Sequence, residues 1–473
     1  MAFDPQSGLA ESSGRCFPLN TRMPASVEKI NVAAKDRELE LPLGWPSPVQ
    51  GEMRPSLKQD IGSFSEFGTV TRQMTTGFQA RDGRCHSVPT FINEFWTAKQ
   101  RQASSLHEVS YRACFKPQLP RFFIERLTQP GDVVYDPFMG RGTTPVEAAL
   151  LGRVPFGNDI NPLSLTFTRP RLHPPRLEEL AARLKEINFT DHDEFPEDLL
   201  AFFHPDTLRE LCALKKYFLG ARLSESQRVA TAAPRSALPD PIDAWLCLVA
   251  LNRLTGHSPG FFSVYTLPPN QAVSVVSQRK INQTRNQSPP RREVTKLILK
   301  KSKQLLSDCT PEVRHTLKSV ADHARFINSP ADATQELPAN SVSLVVTSPP
   351  FLDVVQYATD NWLRCWFLGI DPKSVPLTVP KKLDAWAAAM TNVFRELHRV
   401  IKPGGHVAFE VGEVHAGKTK LEETVLPCGV AVGLEPALVL INDQKFTKTA
   451  NCWGVDNNFK GTNTNRIVVF SKI

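Results

Sequence analysis

One stretch, VVYDPFMGRGTTPVEAALLGRVPFGNDINP (residues 133–162), limits the folds open to this chain. VVYDPF reads as a strand, MGRG as a tight loop and TTPVEAALLG as a helix, with Thr144 as its N-cap, Pro145 in the first turn and Gly152 as its stop. VPFGNDINP supplies a second strand that ends in a polar turn. Two strands joined through one helix run parallel, so the stretch is one unit of a mostly parallel sheet with helices packed on it. Just before it, PQLPRFFIERLTQPGD reads as an amphipathic helix ended by Pro130-Gly131.

SVSLVVTSPPF (residues 341–351) adds a strand of the same kind. Val342 to Val346 are mostly apolar and rich in β-branched residues, and the run stops on Ser348-Pro349-Pro350-Phe351. Neither proline can donate a ladder hydrogen bond, so the strand ends in a stiff turn. Around it α/β alternation continues through ARFINSPADA, a helical DAWAAAMTNVFRELHRVIKPGG, the strand HVAFEVG and a final strand. Residues 165–325 differ, with helical LEELAARLKEI and HPDTLRELCALKKYF between polar linkers. The expected fold is one α/β sheet interrupted by a largely helical basic insertion. Residues 1–75 read as an irregular N-terminal arm, 76–165 and 326–473 as the two parts of the sheet domain, and 166–325 as the insertion.

A length of 473 residues suffices for two or three domains, or for one large domain carrying an insertion. Hydrophobic content of 41% and charged content of 22% suit a soluble globular protein. A net charge of +8 and a pI near 9.0 favour an acidic partner such as nucleic acid. From Gln278 to Lys303 nine Lys/Arg, among them Arg279, Lys280, Arg285, Arg291 and Arg292, face one acid, Glu293. Within this run QRKINQTRNQSPPRR reads as an extended or loop segment. Cations interleaved with amides suit a surface that tracks phosphates; a solvated helix flank is the plainer reading. Nine cysteines without a CxxC pair argue for reduced thiols in the cytoplasm. No metal-site spacing occurs, and Asp191-His192-Asp193-Glu194 reads as a solvated charge run. The N-terminus has no signal-peptide pattern, and no window approaches the ~18 apolar residues of a membrane span.

Gly140 and Gly142 lie where a strand meets a helix, a place where backbone N–H groups let a ligand approach closely. The loop lacks the lysine of a P-loop and the third glycine of the dinucleotide fingerprint. Asp159 follows about 20 residues on, at the end of the next strand, where an acid can hydrogen-bond a ribose. Together they point to a nucleoside-containing cofactor. Ser348-Pro349-Pro350-Phe351 also ends a strand. Its prolines aim a carbonyl and a hydroxyl at one spot beside an aromatic face, which is what a flipped-out base with an exocyclic amine requires.

In these motifs the sequence resembles the amino-methylating, S-adenosyl-L-methionine-dependent DNA methyltransferases. DPFMGRGTT (Asp136, Pro137, Phe138, Gly140, Gly142, Thr143, Thr144) resembles their cofactor motif, and NDINP (Asp159, Asn161, Pro162) their ribose-binding segment. FINSPADA (Asp332, Ala333) resembles the segment that contacts the adenine, and FKPQLPRFFIERL (Phe115, Lys116) the helix that closes over the methionine end. TSPPF resembles the catalytic tetrapeptide, and KTANCWGVDNNFKGTNTNRIVVF the late motif lining the base pocket. The resemblance covers residues 110–165 and 325–473, with a looser likeness between them. It implies a Rossmann-like methyltransferase sheet with helices on both faces, residues 76–165 binding the cofactor and 326–473 carrying catalysis. The insertion, placed between the cofactor motif and the tetrapeptide, is then the DNA target-recognition region.

Serine in the first tetrapeptide position usually accompanies cytosine N4 methylation in this family, and Asp or Asn adenine N6. The implied enzyme methylates a flipped cytosine at N4 in double-stranded DNA, as in restriction–modification. It is expected in the cytoplasm as a monomer, with any restriction endonuclease a separate protein. An adenine-N6 enzyme is the alternative on the same scaffold, and an RNA base methyltransferase a further one. A DNA-binding protein with a degenerate core is disfavoured by the presence of Asp136, Gly140, Gly142, Asp159 and the tetrapeptide. Pro427-Cys428 matches the nucleophile signature of cytosine C5 methyltransferases. It follows the Ser-Pro-Pro motif in an apolar stretch without a matching acidic motif, so Cys428 reads as a buried structural thiol.

Overall fold

The computed structural model describes residues 56–80, 82–97, 103–111, 114–192, 194–226, 240–266, 272–350, 357–376, 380, 382–414, 419–443 and 464–473. Phe351, residues 448–463 of the late motif and most of the arm lie outside them. From Ser56 the arm contains a helix and the start of a strand, where an irregular segment was expected. Ser56 forms a capping box with Gln59 at the start of α1 (Leu57–Gly62), and the hairpin β1 (Arg72–Gln79) and β2 (Cys85–Asn93) follows.

Next come α2 (Gln118–Leu127), β3 (Val133–Asp136), α3 (Thr143–Leu150) and β4 (Val154–Asn158), with β3 and β4 parallel. Two local expectations are corrected. Helix α2 stops at Leu127, before Pro130-Gly131, where the Thr128 hydroxyl donates to the Ile124 carbonyl at 2.6 Å. Gly142 rather than Thr144 caps α3, and the Thr144 hydroxyl instead donates to the Val346 carbonyl at 3.0 Å.

Among the described residues seven α-helices follow: α4 (Leu163–Thr168), α5 (Leu177–Glu186), α6 (Pro205–Ser226), α7 (Pro241–Arg253), α8 (Val275–Thr284), α9 (Val294–Leu305) and α10 (Pro311–Ala321). They lead to β5 (Arg325–Ile327), which pairs with β4, so the insertion hangs between two neighbouring strands. Its centre is α7, where every residue from Trp245 to Asn252 is buried. Helix α8 corrects the first part of the loop expected over Gln278–Arg292, as far as Thr284, while Arg285 to Arg292 form turn and loop as expected. Ser274 caps the helix by accepting from the Ser277 N–H at 3.2 Å, and no proline intervenes before Pro289.

The chain then forms β6 (Val342–Thr347), α11 (Tyr357–Leu368), α12 (Leu383–Val400) and β7 (Ile401–Val411). A small ladder of β8 (Glu413–Val414) and β9 (Thr419–Lys420), then α13 (Leu421–Val430), β10 (Glu435–Asp443) and β11 (Thr464–Ser471), complete it. Strand β7 begins at Ile401, within the segment expected to be the tail of a helix.

Among the described residues nine strands form one sheet in the order β1-β2-β10-β11-β7-β6-β3-β4-β5, with β7 to β5 all parallel. Side chains alternate across it. Val134, Leu344, Val346, Ala408 and Ile467 pack on one face with Phe122 and Phe123 of α2. Tyr135, Val345, Phe409 and Val468 pack on the other with Trp386, Phe394 and Leu397 of α12. Burial on both faces explains why these strands are almost continuously apolar. From β3 the chain moves outward to β4, while β6 lies on the other side, so the C-terminal ends of β3 and β6 flank a topological switch point. The insertion belongs to the same compact unit as the sheet, Met53–Ile473. No described helix is long and apolar enough to cross a membrane.

Candidate active site

Asp136 ends β3 and is 1% exposed. Its carboxyl accepts from the Thr347 hydroxyl at 2.6 Å and from the Phe138 N–H at 3.0 Å, which ties the ends of β3 and β6 to the glycine loop. Burial pushes its pKa up to about 7, opposed by hydrogen bonds from Thr347, Phe138 and Thr144. In the loop, Gly140 and Gly142 have φ of 51° and 77°. A Cβ on Gly142 would lie 2.2 Å from Thr168 Oγ1, so glycine is required there for space as well as for conformation.

Asp159, beyond the end of β4, is buried and spans two turns. One carboxylate oxygen accepts from the Gly140 N–H and the other from the Asn161 N–H, both at 2.8 Å. Asn161 donates to the Tyr111 hydroxyl at 3.3 Å and accepts from the Leu163 N–H at 3.1 Å, while the partly buried Pro162 starts α4. Asn158 donates to the Pro137 carbonyl and exchanges two bonds with Ser329, which draws the turn after β5 to the loop. Asp332 and Ala333 stand exposed on that turn. Thr143 and Thr144 are buried, and Phe138 is partly buried against the core. Phe115 and Lys116 are partly buried at the approach to α2. Burial, reinforced by the Arg141 charge, holds Lys116 below the usual lysine range.

At the end of β6, Ser348 is partly exposed and Pro349 is buried. The Pro350 carbonyl accepts from the indole N–H of the fully buried Trp386 on α12 at 3.0 Å, which fixes the turn from below. In the β6–β7 ladder Thr347 is opposite Phe409, so Glu410 comes next to Ser348. Glu410 is 7% exposed and accepts from Asn465 Nδ2 of β11 at 2.7 Å. Burial raises its pKa against the hydrogen bonds it receives from Ser348 and Asn465. Sequence reasoning missed Glu410, Trp386 and Tyr111, and it reached Asn465 only as part of the late motif. Only Glu410 left a signal, as an acid within the apolar strand HVAFEVG.

The cations of the insertion sort into two groups. Arg279 pairs with Asp198 at 2.5 Å, Arg291 pairs with Glu210, and the Arg292 backbone exchanges hydrogen bonds with Thr207. Arg285 lies 3.8 Å over the Tyr265 ring, and Lys280 is exposed on α8. Cys428 is buried inside α13, its thiol directed at the Thr424 carbonyl at 3.2 Å.

Residues 5–166 match a family model of N6/N4 type described as DNA methylase. The Type II methyltransferase M.BsoBI of Geobacillus stearothermophilus is 24% identical over 320 residues, 60% of this chain and 57% of that protein. The Type II methyltransferase M.MjaII of Methanocaldococcus jannaschii is 36% identical over 77 residues, 16% of this chain and 14% of its own length. The chain thus spans 57% of the first of these relatives and much less of the second. Among solved structures, a TehB-like SAM-dependent methyltransferase of Corynebacterium glutamicum is 8% identical over 75% of this chain and 87% of that one. Its TM-score against this chain is 0.27.

Proposed function

We propose that this chain, a relative of the S-adenosyl-L-methionine-dependent DNA amino-methyltransferases, methylates the exocyclic N4 amine of a cytosine flipped out of double-stranded DNA. The observation that carries the reading is Ser348, a partly exposed hydroxyl at a strand end, held beside a buried acid and one strand away from the glycine loop.

The residues around that loop fit the cofactor. Asp159 is a buried carboxylate at the end of the second strand, suited to a ribose diol, and Lys116 is a cation suited to the methionine carboxylate. Asp332, exposed on the neighbouring turn, is the group for the adenine. When bound, S-adenosyl-L-methionine supplies a methyl group on a positively charged sulfur. The remaining work falls to the chain, because an aromatic amine delocalises its lone pair into the ring and is a poor nucleophile. Ser348 Oγ and the Pro349 carbonyl accept the two N4 hydrogens, favouring a pyramidal nitrogen whose lone pair is free to react. Pro350 stiffens the turn and Phe351 stacks on the base. Holding the amine in line with the methyl group contributes the proximity term. The 166–325 insertion reads the DNA; of Arg279, Lys280, Arg285, Arg291 and Arg292, Lys280 and Arg285 are the cations most open to phosphates, since Arg279 and Arg291 pair with Asp198 and Glu210.

Ser348→Ala should abolish methyl transfer while binding of DNA and cofactor persists. Digestion and mass spectrometry of DNA from expressing cells should show N4-methylcytosine. Full activity of Ser348→Ala would sink the assignment, and N6-methyladenine as the sole product would replace it with the adenine enzyme.

A further inference from the structure

The side chain least explained by that reading is Glu410. A carboxylate on a central strand is costly to bury, and here the groups acting on it are two neutral donors, the Ser348 hydroxyl and the Asn465 amide. The nearest cation along β11, Arg466, is paired with Glu422 of α13. On the β6 side, Asp136 receives its hydrogen bond from Thr347, the neighbour of Ser348. Among the described residues no cation is paired with Glu410, an arrangement poor for stability and useful for handling a proton.

We propose that Glu410 is the positioning residue of the methyl-transfer site: it accepts the Ser348 hydrogen bond, so that the hydroxyl turns its lone pairs to the substrate amine, and it takes up the proton the amine releases. The inference rests on the assignment of Ser348 above. A hydroxyl has one proton, and once that proton is given to Glu410, Ser348 can face the amine only as an acceptor. The step balances. As the N–CH3 bond forms and the C–S bond breaks, its electron pair goes to sulfur. One N–H bond then breaks, with its electron pair returning to nitrogen. That proton passes to Ser348 Oγ while the hydroxyl's own proton passes to Glu410. The products are a methylated amine, a thioether and a neutral acid, which returns its proton to solvent. Asn465, donating to the other side of the carboxylate, keeps it from rotating away.

Because Glu410 must be ionised to act, the rate should fall as pH drops through its pKa, which burial raises above the usual glutamate range. The experiment is single-turnover transfer from labelled cofactor to unmethylated mixed-sequence DNA, across pH, for the wild type, Glu410→Gln, Glu410→Asp and Ser348→Ala. Infrared titration of the cofactor-free wild type and Glu410→Gln accompanies it. Glu410→Gln should lose about 100-fold in rate, a usual size for a proton-transfer role, and should lose the acid limb. The infrared spectra should show one carboxyl, titrating above the usual range, that is missing from the variant. If Glu410→Gln does not fold, Glu410→Asp carries the test, since withdrawing the carboxylate by one methylene must move the acid limb. A rate within threefold of wild type with the limb unchanged, in whichever variant folds, overturns the proposal. An inactive Ser348→Ala beside a fully active Glu410→Gln sinks this inference alone, whereas an active Ser348→Ala sinks both readings.

Discussion

Asp136 shows how one residue can serve both halves of the site. Its carboxyl joins the glycine loop to the end of β6 through Phe138 and Thr347, and burial pushes its pKa up to about 7. A raised carboxyl pKa stabilises the fold fully below the unfolded value, and that contribution is lost as pH rises through the folded value. The window runs from 3.8 to about 7. Asp136→Asn keeps an acceptor but cannot ionise. Urea unfolding across this window should show the wild type losing stability relative to the variant, by about 4 kcal/mol at most. Parallel curves would show that Asp136 does not titrate in that window. Asp136, Asp159 and Ser348 were legible in the sequence because each stands where an apolar run breaks into turn chemistry. Trp386 was not, and Asn465 only as one residue of the late motif, since their roles depend on which strand or helix comes to lie beside another.

Among the elements, strands β3, β4 and β6 were read within a few residues, because burial on both faces leaves a plain apolar signature, whereas β10 was not read at all. The hairpin of β1 and β2 escaped: β1 is largely exposed at the sheet edge, so its sequence carries little apolar alternation. The reading of α8 failed for the opposite reason, as its Gln, Asn and Arg residues suggest a loop while Ser274 caps a helix. Helix α12 shows what an element adds that a motif cannot. It places the Trp386 indole under the Pro350 carbonyl and thereby sets the height of the Ser-Pro-Pro turn. Trp386→Phe keeps the aromatic packing and removes the donor. Turnover should fall on the order of tenfold, since small displacements of a positioned group are costly, while DNA affinity holds in a filter-binding assay. Unchanged turnover would assign Trp386 to packing alone.

For the molecule as a whole, the positive charge matters by where it is left uncompensated. Lys280 is exposed and Arg285 keeps its charge over a neutral ring, whereas Arg279 is already matched by Asp198. Affinity for DNA measured against salt should therefore lose about one unit of log–log slope for Lys280→Ala and for Arg285→Ala, and less for Arg279→Ala. Equal slopes in all three variants would place the DNA elsewhere on the surface. The pairing of β5 with β4 across the whole insertion also has a meaning for synthesis. A ribosome releases β3 and β4 well before their outer neighbours exist: β6 begins at Val342 and β4 ends at Asn158. At typical elongation rates that leaves two apolar strands with open edges for roughly 10 to 40 s. The helices of the insertion emerge in that interval, and in the folded chain the Val146 side of α3 packs against them in one apolar cluster.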